Sequence, residues 1–107
     1  MHRITAKDNK IWIQSEYGGI FWSVNSQKLD GRLRIYAVGL LLALAVKYRT
    51  TISVEEGYYY LNIQAGQTSL SWDYSPEINI QALKKLTERL EKQLALKSYS
   101  DAPHRLP

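Results

Sequence analysis

Few residue types in this 107-residue chain could support catalysis, and their spacing does not gather them. Its two histidines, His2 and His104, lie near opposite ends, whereas a general base must be held within about 3 Å of the proton it takes. Glu55 and Glu56 are adjacent in a segment with strand character, so their side chains diverge to opposite faces and cannot share one substrate. The chain has no cysteine, which excludes disulfides, thiolate metal ligands and a cysteine nucleophile. Gly18-Gly19 lacks the spacing and the following lysine and serine of a phosphate-binding loop. The expectation is a non-enzymatic protein with no metal and no cofactor.

The chemistry on offer is recognition by aromatic side chains: eight tyrosines, three tryptophans and one phenylalanine. Three tyrosines fall together in "EEGYYYLNIQ", residues 55–64. Strand alternation separates them, because Tyr59 shares a face with Leu61 and Ile63 while Tyr58 and Tyr60 share the other with Asn62 and Gln64. If an N-terminal hairpin joins the same sheet, Trp12 and Phe21 add to that outer face, amid serine, threonine, asparagine and glutamine. Aromatic residues are enriched, and charged ones depleted, where proteins contact one another.

Charge adds a direction. The net charge is +4, with eight Lys/Arg against three Asp/Glu in residues 1–50 and six against seven in residues 51–107. The positive field therefore belongs to the N-terminal half, where Arg32 and Arg34 are candidates for steering an acidic partner. The expected site is Trp12, Phe21, Tyr58 and Tyr60 as anchors with Arg32 and Arg34 as steering charges, and the expected partner is another protein with an acidic surface. The alternative is a single-stranded nucleic acid stacked on the same aromatics. No cation lies between Arg49 and Lys84, so its phosphates would have to track along Arg3, Lys7, Lys10, Lys28, Arg32 and Arg34. A face suited to a foreign partner also suits a twofold copy of the chain, so a homodimer belongs to the same expectation.

The elements that must position these residues are legible from periodicity. "KIWIQS" and "IFWSV" alternate and are joined by "EYGG", where two glycines offer positive φ for a reversal, which predicts a hairpin. Asp30 is a good helix N-cap, and Leu33, Ala37, Leu40, Leu41, Leu44 and Tyr48 lie at helical spacing, which favours a helix from about Leu33 to Tyr48. Asp30-Gly31 is also a two-residue hairpin signal, and residues 32–37 alternate as a strand would. "TTISVEE", "YYYLNIQ" and "QTSLSWDY" alternate as a three-strand meander with turns at Glu56-Gly57 and Ala65-Gly66. Ser75-Pro76-Glu77 signals a helix start, and Leu83, Leu86, Leu90 and Leu94 form an apolar stripe on a helix ending near Lys97.

The expected fold class is α+β, an antiparallel sheet with two helices packed on one face in the order ββ-α-βββ-α. If Asp30-Gly31 is a hairpin turn, the order becomes βββα repeated twice. At this length one compact domain is expected, covering residues 1–97, with residues 98–107 as a flexible tail that carries two prolines. Ile35 to Val46 runs twelve residues without charge, but as a helix it would span about 18 Å against the roughly 30 Å of a hydrocarbon core. No apolar signal segment opens the chain, and the expected location is the cytoplasm, with no membrane partner.

Overall fold

The computed structural model describes residues 3–25, 29–58, 60–73 and 79–100. Eight elements follow in chain order: strands β1 (Arg3–Lys7), β2 (Lys10–Gln14) and β3 (Gly19–Val24), helix α1 (Gly31–Lys47), strands β4 (Thr51–Glu56), β5 (Tyr60–Ala65) and β6 (Thr68–Asp73), and helix α2 (Ile80–Ser100). The six strands form one sheet in sequence order from β1 to β6. The class is α+β, as composition and periodicity predict.

Two features correct the expected topology. The sheet is mixed, because β3 and β4 pair in parallel, with Ile20 opposite Ile52 and Trp22 opposite Val54. The connection is the cause: α1 carries the chain from the end of β3 back to the start of β4, and such a helical crossover between neighbouring strands leaves them parallel. The second feature is an additional strand, β1, so the order is βββ-α-βββ-α. That is the element order of βββα repeated, but the added strand is Arg3–Lys7, not residues 32–37. Asp30 settles the latter as helix, since its Oδ1 accepts from the Arg32 amide at 2.7 Å and its carbonyl accepts from the Arg34 amide at 2.9 Å. These bonds satisfy donors that the first helical turn leaves open.

Alternation decides which side of the sheet is buried. Ile20 and Trp22 of β3, Ile52 and Val54 of β4, and Leu61 and Ile63 of β5 are 0–1% exposed, and cross-strand pairing puts them all on one face. Ala37, Leu41, Leu44 and Ala45 of α1 and the leucine stripe of α2 (Leu83, Leu86, Leu90 and Leu94) close over that face. Each such aliphatic side chain taken fully from water contributes about 1.5–3 kcal/mol, so this layer contact is the main driving force for the fold. Both helices therefore lie on one face, leaving the opposite face without a helix over it among the described residues.

The helices are joined at the end of α1. Lys47 Nζ donates to Glu91 Oε2 at 2.6 Å and the Tyr48 hydroxyl donates to the same oxygen at 3.1 Å. The hydrogen bond from Lys47 holds the Glu91 carboxyl below the usual carboxylate range, and Glu91 in turn raises the Lys47 ammonium. Arg49 then turns into the left-handed region (φ 51°), and the Thr50 amide donates to Ala45 O at 2.9 Å, ending α1 and releasing the chain into β4.

The glycine pair at the start of β3 works differently from expectation. Among the described residues positive φ occurs at Asp8, Arg49 and Gly66, so Gly18 and Gly19 are needed for space, not for backbone handedness. Asn79 caps α2 by accepting the Ala82 amide at 2.9 Å, while the expected Ser75-Pro76-Glu77 start lies outside the described residues. So does Tyr59, and so do residues 101–107 of the expected tail; α2 itself continues past Lys97 to Ser100. No helix among the described residues is long and apolar enough to cross a membrane.

Candidate functional site

The face away from the helices is built in cross-strand columns. Pairing aligns Thr5, Trp12, Phe21, Ser53, Gln64 and Ser69 across all six strands. A neighbouring column runs Lys7, Lys10, Ser23, Glu55, Asn62 and Ser71. Small polar side chains dominate β4 to β6, so the surface is low there and rises at the aromatic pair. Trp12 and Phe21 meet edge to face, with ring centroids 5.1 Å apart and planes at 67°, a geometry that the positive edge and negative face of aromatic rings favour. The Trp12 indole N–H donates to Gln14 Oε1 at 3.0 Å, which fixes the ring on the strand.

Two hollows flank this pair. A trough of about 540 Å³ runs over β3, β4 and β5 between Phe21, Ser53, Glu55, Asn62 and Gln64, and a hollow of about 280 Å³ lies between Thr5, Lys7, Asp8 and Trp12. Lys10 and Phe21 line both, so they form the wall that the two hollows share. Charge is distributed unequally along the face: Arg3, Lys7 and Lys10 stand on β1 and β2, whereas Glu55 and Asp73 stand on β4 and β6. The face thus has a cationic end beside the aromatics and an anionic end across the sheet.

The expected site residues do not form one surface. Trp12, Phe21 and Tyr60 share the outer face, but Tyr60 is on β5, three strands from Trp12, or roughly 14 Å at the usual strand spacing. Its ring lies over Gly57, where an added Cβ would come within 2.7 Å of Tyr60 Cζ. Tyr58 is 54% exposed in the connection before β5, off the strand face. Arg32 is exposed in the first turn of α1, in the helix layer on the other side of the sheet.

Arg34 lies on the helix side of the sheet, in an ion pair. Its guanidinium donates from Nε to Glu56 Oε1 at 2.7 Å and from Nη2 to Glu56 Oε2 at 2.8 Å, a two-point grip. Nη2 also donates to Leu29 O at 3.2 Å, and the Trp22 indole N–H donates to Glu56 Oε1 at 2.8 Å. The Glu56 side chain is wholly buried and that of Arg34 is 18% exposed, so this cation is engaged by an interior carboxylate. Glu55 and Glu56 do diverge as alternation requires, one to the outer face and one to the core.

Lys10 lies on the expected strand β2, whereas the places of Arg3 and Lys7 on the outer face follow from β1, which the expected order does not include. The signal was present: "RITAK" and "KIWIQ" flank Asp8-Asn9, and aspartate tolerates the left-handed backbone that a two-residue turn uses; Asp8 has φ 57°. No group of three His, Cys, Asp or Glu side chains among the described residues is placed to hold a metal ion. His2 and His104 lie outside the described residues. No protein-family model, curated protein or solved structure matches this chain.

Proposed function

We propose that the chain is a non-enzymatic, cytoplasmic protein-binding module that presents the outer face of its sheet to an acidic surface of another protein, as an inhibitor, adaptor or accessory subunit. The observation that supports this reading is the Trp12–Phe21 pair standing beside two adjacent hollows, on a face that no helix covers among the described residues. Aromatic anchors in such a position carry most of the binding energy of ordinary interfaces. Arg3, Lys7 and Lys10 lie on that face and supply the steering charge, since charge at the rim of a contact sets encounter rate and partner choice.

The test is capture from lysate followed by titration of the identified, purified partner. Trp12→Ala with Phe21→Ala is expected to weaken that titration by about 100-fold or more, given hot-spot losses of about 2 kcal/mol or more per residue. Both side chains lie outside the core cluster, so circular dichroism of the double variant should match the parent. Equal affinity of variant and parent would remove this reading.

A second reading has its own observation. The cations of β1 and β2 surround the aromatic pair on the same face, the combination that single-stranded nucleic-acid binders use. Glu55 and Asp73 across the sheet confine any phosphate track to β1 and β2, which is why the protein reading ranks first. With three cations, binding of a thymidine oligonucleotide should fall with salt at a log–log slope of about −2, from about −0.7 per phosphate neutralised. No binding at low salt ends the nucleic-acid reading.

A further inference from the structure

β1 is the edge of the sheet, and among the described residues nothing pairs with its outer side. Lys7 and Lys10 are opposite one another with only Asp8 and Asn9 between them, so they close the hairpin as a hydrogen-bonded pair. Antiparallel alternation then directs the backbone groups of Thr5 and Arg3 toward β2 and those of Ile4 and Ala6 outward. The edge therefore offers two N–H and two C=O groups to a further strand.

Side chains on this edge state what such a strand must carry. Arg3 and Lys7 stand on the outer face, with Lys10 directly across from Lys7. Ile4 stands on the opposite face, 67% exposed, beside half-buried Ile13. A second copy of β1 paired antiparallel about Thr5 would set Arg3 against Lys7 twice, and like charges directly opposite are destabilising. Cations on an edge are a common guard against self-pairing. The same guard is an attraction for a strand with carboxylates at those two positions.

We propose that β1 accepts an extended segment of an acidic partner as a seventh strand, in the pattern acidic, apolar, any residue, apolar, acidic. The carboxylates pair with Arg3 and Lys7 on the outer face, and the apolar residues extend the Ile4–Ile13 surface on the helix side. This inference rests on the protein-partner reading above and gives that partner a local chemistry. Main-chain hydrogen bonds supply affinity in such strand additions, and alternate side chains supply selectivity.

The probe is the capped peptide Thr-Glu-Val-Thr-Val-Glu-Thr, titrated into the ¹⁵N-labelled full chain at low salt. Saturable shifts are expected at the Ile4 and Ala6 amides. Ala6→Pro removes an outward N–H without touching the β1–β2 bonds, and should weaken binding about tenfold or more, since edge strands tolerate proline on the solvent side. Arg3→Glu with Lys7→Glu leaves the backbone alone and should reverse the preference, so that a peptide with lysine in place of glutamate binds more tightly than the acidic one. The proposal is overturned if Ile4 and Ala6 do not shift, if Ala6→Pro binds as the parent does, or if the charge-reversed chain still prefers the acidic peptide. Self-association of the parent that Ala6→Pro abolishes would also overturn it, by assigning the edge to a second copy. Peptide shifts centred on Trp12 and Phe21 would end the edge proposal while leaving the outer-face reading standing. Conversely, the Trp12→Ala, Phe21→Ala chain should bind this peptide as the parent does, so failure of one reading is distinguishable from failure of the other.

Discussion

Replacing Glu56 with alanine is expected to destabilise the fold by about 3–5 kcal/mol, the range for removing one partner of a buried ion pair. The carboxylate holds three elements at once: Trp22 of β3, Arg34 of α1 and its own strand β4. Without it the Arg34 guanidinium, 18% exposed, keeps its charge and loses its counterion. The indole N–H of Trp22 loses its acceptor in a site that is 0% exposed, where an orphaned donor costs about 1–3 kcal/mol. Against a total stability of about 5–15 kcal/mol for a domain of this kind, urea unfolding should show a greatly reduced midpoint. A companion variant separates charge from packing. Glu56→Leu with Arg34→Met replaces the pair by apolar groups, which is often neutral overall; it should recover most of the loss and leave about the cost of the indole donor. An unfolding free energy for Glu56→Ala within about 1 kcal/mol of the parent would mean that the pair does not hold these elements together.

The same residue shows where a local reading of the sequence stops. Beside Gly57, "EE" looks like turn chemistry, and nothing within a strand's length says that Glu56 meets Trp22 and Arg34, 34 and 22 residues away. Alternation and helical spacing depend only on near neighbours, so they correctly separate the buried from the outer face of β4 and β5 and predict the leucine stripe of α2. They also group Tyr60 with Asn62 and Gln64, and Trp12 with Gln14; the register joins these sets on one face with Phe21, while Tyr58 lies before β5. β1 carries only a short trace: Arg-Ile-Thr-Ala-Lys alternates polar and apolar, but it spans five residues, all of them exposed, and it meets β2 through Asp8-Asn9 with no glycine or proline to mark the turn. Parallel pairing of β3 with β4 is silent, being set by where α1 returns the chain. Of the cationic end, Lys10 belongs to the expected strand β2, while the placing of Arg3 and Lys7 beside it depends on β1.

Replacing Gly18 with alanine is expected to cost about 1–3 kcal/mol, the usual penalty of overpacking, or roughly 4–20 °C in Tm for a domain near this size. The cause is contact between main chains. A Cβ at Gly18 would lie 2.3 Å from Ala45 O, 2.7 Å from Ala45 C and 2.8 Å from Thr50 O, all backbone atoms at the end of α1. Those atoms are not free to yield, because Ala45 O accepts the Thr50 amide and Thr50 O accepts the Gly19 amide at 3.2 Å. The strand turn must move instead, and with it β2 and β3, which carry Trp12 and Phe21. Partner titration with this variant should therefore weaken even under conditions where it remains folded. Gly39 supplies the contrast: it is exposed on α1 and a Cβ there meets nothing within 4 Å, so Gly39→Ala should stabilise by up to about 1 kcal/mol through helix propensity alone. If Gly18→Ala melts at or above the parent temperature while Gly39→Ala behaves as stated, then the seam between the β2–β3 turn and α1 adapts, and it does not fix the aromatic pair.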